Sequence, residues 1–383
     1  MNLAYISPSA LPSRSANSVH VMLQCDALAR LGVRVTLFAK RTVREASALR
    51  AQLESTYGID ARRLDLRTYY SSSARGDLAR IAAMSVASRA TRQADVVLSR
   101  NMYAAFALGV IARRRMLFET HQLELGFRKP MQKAIMLQDA VTTVVISTKL
   151  AECLTEYHGA APSRHLVLHD AAPAGIDMVP VQQRRGDLGA YLHENLQAWQ
   201  LSCGYFGQLY AGRGIELIEE VAARSPQCLF LVFGGSDAEV QQRRVTSRNR
   251  NVRYMGHVPR ALAGQLMGMM DVLLMPYQES VSIGVAGHDT ARWMSPMKMF
   301  EYMASGAAIV SSDLPVLREV LVDGHNCLLA PAADAAAWSD CVERLAKEIQ
   351  LRERLGRAAH ADYESTHTWT KRAEALLAAG TAK

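Results

Sequence analysis

The sequence lacks several signatures, and each absence narrows what the chain can be. Its six cysteines, Cys25, Cys153, Cys203, Cys228, Cys327 and Cys341, include no Cys-x-x-Cys pair. Their scatter argues against a disulfide framework or a zinc site and leaves them as small buried hydrophobes. No apolar run approaches the roughly 18–20 residues that a membrane-spanning helix requires. Residues 1–6 form a short apolar run with neither a basic leader nor a small-residue cleavage site, and they read as a first strand rather than a signal peptide. A cytoplasmic protein is the expectation. The loop at 7–18, SPSALPSRSANS, holds no glycine, whereas a dinucleotide-binding enzyme places Gly-x-Gly-x-x-Gly straight after its first strand. That argues against a nicotinamide dehydrogenase. There is also no Asp-x-Asp pair to hold manganese.

A chain of 383 residues suits two domains of roughly 150–200 residues each. Hydrophobic residues at 49% and charged residues at 21% are values for a folded globular protein. Forty-four Lys+Arg against 36 Asp+Glu leave a net charge of +8, which suits an anionic partner such as a nucleotide, a phosphorylated lipid head group or nucleic acid. RNA-recognition and helix-turn-helix signals are absent, so nucleic acid is not an expected partner. The densest basic stretch, 243–253 with five arginines, reads as a solvated helix end and loop.

Short β-branched or apolar runs alternate with longer helical patterns, the mark of α/β units around parallel sheets. In the first half, strands are expected at 3–7, 33–39, 96–99, 116–120, 141–146 and 165–168, with helices at 19–31, 77–91 and 148–157. Ser18 or Asn17 is placed to cap the first helix and Gly32 to end it. Between 171 and 200 the pattern breaks down among Pro173, Gly175, Pro180, Gly186 and Gly189. It resumes with strands at 203–206, 229–233, 252–256, 272–275, 308–311 and 327–329, and helices at 215–223, 261–269, 297–304 and 333–345. The expected fold class is α/β, with two Rossmann-like doubly wound parallel-sheet domains facing a cleft. The first spans 1–172, a connection 173–200, and the second 201–383. Ligands in such folds sit at the carboxyl ends of strands.

Two loops suit an anion. The hydroxyl-rich stretch 7–18 leads into a helix whose first N–H groups are available to an anion, although an ordinary capped loop would look the same. The second loop, Gly207-Gln208-Leu209-Tyr210-Ala211-Gly212-Arg213-Gly214, follows a strand and enters a helix. Superficially it is P-loop-like, but Arg213 replaces the lysine and Gly214 the hydroxyl that would hold magnesium. What survives is a loop phosphate can approach closely, with a guanidinium able to grip it bidentately. A plain strand-to-helix turn is the alternative.

The most informative segment runs Ser295-Pro296-Met297-Lys298-Met299-Phe300-Glu301-Tyr302-Met303-Ala304-Ser305-Gly306. Ser295 reads as a helix cap with Pro296 at the first helical position. The amides of Met297 and Lys298 would then face an anion, and Glu301 is placed to accept two hydroxyl hydrogen bonds from a ribose diol. A structural i, i+3 pair between Lys298 and Glu301 is the plainer reading.

With these segments, the chain resembles the family-four retaining glycosyltransferases of the GT-B fold, in a sub-branch marked by Ser-Pro-Leu-Lys-x-Phe-Glu-Tyr-Met-Ala. Further parts of the resemblance are residues 12–20, Phe118-Glu119-Thr120-His121, Gly256-His257-Val258, Val310-Ser311-Ser312-Asp313-Leu314-Pro315, and Trp369 before a last helix. It covers nearly the whole chain, and the order and spacing of the parts carry it. The resemblance implies that Arg213 grips the donor diphosphate, Glu301 holds the nucleotide ribose, main-chain groups at Val258 meet the base, and His121 contacts the donor sugar near its anomeric carbon. Ser15, Asn17, Gly207, Gly212, Ser295, Met297 and Lys298 complete the implied donor site, with His121, Arg213 and Lys298 in catalytic roles. A last helix near 365–380 would pack back on the first domain. Two positions depart from the family pattern. Trp293 stands where a first glutamate belongs, eight residues before Glu301, and Gln208 replaces a common arginine. Lys298 and the stretch 284–290, with His288 and Asp289, are the candidates to substitute for the missing glutamate.

The implied reaction is metal-independent and needs no cofactor beyond its substrate. A hexose-type sugar leaves a nucleotide diphosphate with retained configuration, the acceptor attacking from the leaving-group face. The acceptor is expected to be a glycan or lipid-linked oligosaccharide in cell-surface polysaccharide synthesis. Arg128-Lys129-Pro130-Met131-Gln132-Lys133 mixes basic and apolar residues as an anionic membrane surface requires, so peripheral attachment at the inner face of the membrane is expected, against an ordinary amphipathic surface helix. A nucleotide-sugar epimerase of the same fold and a non-catalytic nucleotide-sugar-binding protein are the rival readings.

Overall fold

A strand that reads as an unbroken apolar run must be covered on both faces, which in practice means a parallel sheet between helices. The computed structural model, which describes residues 1–73, 75–176, 178–281 and 289–382, contains two such sheets. The chain divides into two compact units, Met1–Pro173 with Thr368–Lys383, and Ala174–His367.

In the first unit, β1 (Asn2–Leu11), β2 (Arg34–Arg41), β3 (Leu64–Tyr70), β4 (Val96–Ser99), β5 (Met116–Thr120), β6 (Val141–Val145) and β7 (His165–Val167) form a sheet of order 3-2-1-4-5-6-7, parallel throughout. In the second, β8 (Leu201–Phe206), β9 (Cys228–Phe233), β10 (Val252–Gly256), β11 (Val272–Met275), β12 (Ala308–Ser312) and β13 (Leu328–Ala330) run in the order 10-9-8-11-12-13, again parallel. Every residue of β4, β5, β8, β9, β11 and β12 is buried. Both units are Rossmann-like, and in each the strand order reverses beside the first strand, between β1 and β4 and between β8 and β11. Such switch points open a crevice at the strands' carboxyl ends.

Most expected strands recur within a few residues of their expected bounds. β3 was not anticipated, because it is an edge strand whose exposed and half-buried residues carry no apolar run. The expected helix at 77–91 is two helices, Asp77–Ala87 and Arg89–Gln93, divided at Ser88, whose side chain accepts the Ala90 N–H and so starts the second. The stretch read as a connection contains the helix Val181–Leu192 and falls within the second unit. Its Arg184 is buried and donates to the carbonyls of Val179 and Gly306, each at 3.0 Å. With the fully buried Leu188, this arginine supplies what the missing apolar periodicity does not. The helix Trp369–Thr381 belongs to the first unit, where Gly380 lies against Val96 of β4. The arginines of 243–250 lie at a helix end and in the loop after it, as expected, with Arg244, Arg248 and Arg250 exposed and Arg243 half-buried; Arg253, in β10, is also half-buried. Arg243 pairs with Glu216 and Glu219, Arg244 donates to the Tyr254 carbonyl, and Arg253 pairs with Glu194.

Candidate functional site

At the β8/β11 switch point the second unit assembles two cations over a glycine. The helix Met297–Ser305 is tied to the end of β8 by the Phe206 N–H, which donates to the Tyr302 hydroxyl at 2.8 Å. Lys298 lies four residues before Tyr302, hence on the same helix face, and is carried to the same strand end. Its Nζ sits 4.2 Å from the Tyr205 ring centre and 4.8 Å from that of Tyr277, within cation–π range. Gly207 makes room for it: a Cβ there would lie 2.9 Å from Lys298 Nζ and 3.0 Å from the Tyr205 hydroxyl oxygen.

Arg213 approaches Tyr277 from the other side. Its Nη1 donates to the Tyr277 hydroxyl at 3.0 Å, and its Nε is buried without a hydrogen-bond partner. The loop that carries it packs backbone against backbone. Gly212 has φ +80°, and a Cβ would stand 2.0 Å from the Ser280 carbonyl oxygen. Among the described residues, neither Arg213 nor Lys298 has a carboxylate ion-pair partner. Burial holds the half-buried Lys298 well below the ordinary lysine range, the like charge of Arg213 adds to this, and the Glu301 carboxylate opposes it. Among the described residues, Glu301 acts on this arrangement only from a distance, without an ion pair to either cation.

Glu301 pairs with Arg260, not Lys298. Arg260 opens the helix Arg260–Met269 directly after Val258 and Pro259, so the Val258 loop and Glu301 are brought together through it. Ser295 is buried but does not cap the helix. Pro296 occupies the cap position in extended geometry, φ −75° and ψ 121°, and Met297 is the first helical residue. Without a side-chain cap, the first-turn amides of Met297 and Lys298 have no intrahelical acceptor. Asp289 accepts the Val281 and Ala291 amides, both at 2.9 Å, and serves its own loop. His288, like 284–287, lies outside the described residues.

In the first unit, the cap of the helix Ala16–Arg30 is Ser15 rather than Ser18 or Asn17. The helix begins at Ala16, three residues before the apolar pattern that starts at 19. Ser15 Oγ accepts the Ser18 N–H, and Asn17 Nδ2 donates to Ser9 Oγ at 2.8 Å, so both side chains are engaged within the loop. His121 follows β5, and its Nε2 meets Glu119 Oε1 at 2.7 Å. Burial and the Arg100 guanidinium push it down to about 3 despite Glu119. Ligand atoms of His20, His121 and Asp170 lie within 4.8 Å of one another, near enough for a metal ion. Yet His20 Nδ1 meets Asp170 Oδ1 at 2.7 Å, and Arg372 Nη2 lies 2.9 Å from Glu119. A charge network with its own cation in place fits these residues better than a metal site.

The sequence reading missed Tyr205, Tyr277, Arg260 and Arg372, and assigned no role to Glu119 or His20, although both stood in segments that carry the resemblance. The other four come from segments distant in sequence that the topology brings together.

Residues 213–378 match the family model described as glycosyl transferase-like. A curated relative, the phosphatidyl-myo-inositol mannosyltransferase of Mycobacterium leprae (strain TN), is 30% identical over 147 residues, 38% of this chain and 36% of that protein. The chain thus matches about a third of that relative's length. Among solved structures, Anabaena Alr3699/HepE in complex with UDP has a TM-score of 0.72 at 16% identity, with 98% of each chain covered. The sucrose-phosphate synthase (tll1590) from Thermosynechococcus elongatus has a TM-score of 0.68 at 16% identity, covering 98% of this chain and 97% of that one. The fold is that of the GT-B glycosyltransferases.

Proposed function

We propose that this protein is a retaining, metal-independent glycosyltransferase of the family-four type. It moves a hexose-type sugar from a nucleotide diphosphate to a glycan or lipid-linked acceptor, within cell-surface polysaccharide synthesis. The observation that carries the proposal is the pair Arg213 and Lys298, held around Tyr277 at a switch point and with no carboxylate ion-pair partner among the described residues. As the sugar C1–O bond breaks, its electron pair goes to the departing diphosphate while the ring becomes cationic. Arg213, Lys298 and the uncapped start of the Met297–Ser305 helix would meet that charge, as preorganised donors do in other transfer reactions. Glu301 would take the ribose diol, the Val258 backbone the base and His121 the sugar. The names of the relatives support a nucleotide-sugar donor, and the mannosyltransferase supports a lipid acceptor.

An anionic membrane surface suits the same reading. Leu125 and Phe127 are 55% and 70% exposed beside Arg128, Lys129 and Lys133 of the helix Arg128–Met136. Apolar anchors beside basic residues bind anionic bilayers. Co-sedimentation with vesicles containing phosphatidylglycerol, but not with phosphatidylcholine alone, is the expected outcome.

The test of function is a thermal-shift screen with UDP, GDP, ADP, CMP and their sugars, since a ligand bound to the native state raises Tm. It is followed by incubation of the stabilising sugar nucleotide with lipid-linked acceptor and EDTA. Transfer with retained configuration in EDTA supports the proposal. Isomerised sugar without acceptor would point to an epimerase, and binding without turnover to a pure binder.

A further inference from the structure

Charges in the first unit converge on Glu119. This β5 residue is 1% exposed, and its Oε1 lies 2.7 Å from His121 Nε2, 2.9 Å from Arg372 Nη2 and 2.8 Å from His20 Nε2. Each neighbour is held from a second direction. Arg372, on the helix Trp369–Thr381, donates Nε to the His169 carbonyl at 3.0 Å and Nη1 to Gln24 Oε1. His20 is fixed through Asp170 and stands edge-on to His121 and Trp369, with ring centres 4.8 and 4.9 Å apart. The Glu119–His121 contact is therefore set by packing. Sugar transfer as described above gives a buried carboxylate at this position no direct part.

Chemistry then fixes the proton. Burial alone would raise Glu119, but Arg372 and His20 outweigh it and hold the carboxyl well below its usual range. An ionised carboxylate can only accept hydrogen bonds. The His121 ring, pushed down to about 3, is neutral near pH 7 and carries one N–H. That N–H belongs on the nitrogen facing the carboxylate.

We propose that Glu119, gripped by Arg372, is a positioning residue that locks His121 as its Nε2–H tautomer and so presents Nδ1 to the donor sugar as an acceptor for one hydroxyl. The sugar contact rests on the placement of His121 under the proposed function; the tautomer does not. An acceptor nitrogen repels a phosphate oxygen but holds a hydroxyl, and a site built around such a bond rejects the analogue that lacks it. His121 is thus a reader of the sugar rather than a source of protons.

The direct test is nitrogen-15 NMR of the histidine rings in the full chain, with His121→Asn identifying the signal. The expected result is the Nε2–H form, unchanged between pH 5.5 and 8.5. An Nδ1–H form, or a ring that titrates in that window, overturns the proposal whatever the protein transfers. In Glu119→Gln, Arg372 takes the amide oxygen and the NH₂ group faces His121, which should invert the tautomer. Turnover is then expected to fall by up to about 10⁴-fold, with KM for the donor moving less, the scale of loss a wrong histidine tautomer causes. Should that variant not fold, a series of monodeoxy donors on the wild type decides. One position costing more than about tenfold is expected, and none doing so overturns the acceptor role. A correct tautomer in a protein that binds no sugar nucleotide at all instead sinks the proposed function, and the acceptor role with it.

Discussion

The two units each hold an arginine near a strand's carboxyl end, Arg372 buried and Arg213 half-buried, and they treat it in opposite ways. Arg372 is met by the Glu119 carboxylate, the Gln24 amide and a main-chain carbonyl. Arg213 has a tyrosine hydroxyl, an unpaired Nε and a second cation, Lys298, near the same tyrosine. A buried charge without a counter-charge is costly, whereas one with well-placed partners can hold a structure together. The first arrangement is complete as it stands and sets the orientation of a neutral ring. The second is left without a paired anion among the described residues, and that is why the proposed function places the donor diphosphate there.

Exchanging the roles of these arginines is the strongest way to break the comparison. Arg213→Ala should leave the fold intact and lower turnover by about three orders of magnitude, the scale seen when one preorganised donor to a developing charge is lost. Steady-state rates with the stabilising donor check it, and near-wild-type activity would defeat the assignment. Arg372→Met should behave the other way. It strands the Glu119 carboxylate, and breaking a buried pair costs about 3–5 kcal/mol, a fall in Tm on the order of 10 °C for a unit of this size. Circular dichroism melts would show it. A variant that melts like the wild type but is inactive would mean that Arg372 touches substrate.

Lys298→Met sharpens the contrast in finer steps. Removing a cation that the fold disfavours should raise Tm by roughly 2 °C while abolishing donor-induced stabilisation, a stability gain at the cost of function. The sign of its pH dependence follows from linkage. With its native value depressed, Lys298 binds fewer protons folded than unfolded, so its burden on stability is greatest at low pH. It fades as pH rises toward the lysine's ordinary value, where the side chain is neutral in both states. The stability gap between variant and wild type should therefore narrow as pH rises and be closed above about pH 10.5. A gap that widens would show that the aromatic contacts of Lys298 outweigh its desolvation.

What the sequence disclosed follows the range of the forces involved. Strands such as β4 and β11 were legible to the residue because unbroken apolar runs are a local signal. β3 and the helix Val181–Leu192 were not, since one is a half-exposed edge and the other buries only Arg184 and Leu188. The same division runs through the site. Gly207, Gly212, Arg213, Lys298 and Glu301 were readable because loop and helix-start motifs are contiguous. Tyr277 follows β11, Arg260 sits 41 residues before its partner Glu301, and Arg372 lies 253 residues after Glu119. No local pattern announces such pairings. Ser295 erred for a related reason, because Pro296 took extended geometry at the cap and moved the helix start by one residue.

The smallest expected effect tests whether Arg260 is part of the site or only a brace for it. A carboxylate has two oxygens and about four lone-pair positions, and Arg260 occupies only the Oε1 side of Glu301. The rest can still accept a ribose diol, with Arg260 fixing the carboxylate's direction. Arg260→Ala should then weaken nucleotide binding only about three- to tenfold, the loss of one orienting contact of about 1 kcal/mol. Glu301→Gln should do more harm, because its single carbonyl oxygen is claimed by Arg260 and its amide group cannot accept from the diol. Calorimetric titration with the nucleoside diphosphate and its 2′-deoxy analogue separates the two. Glu301→Gln should erase the preference for ribose and Arg260→Ala should keep it. If Arg260→Ala instead erased that preference, the guanidinium rather than the carboxylate would be what meets the sugar.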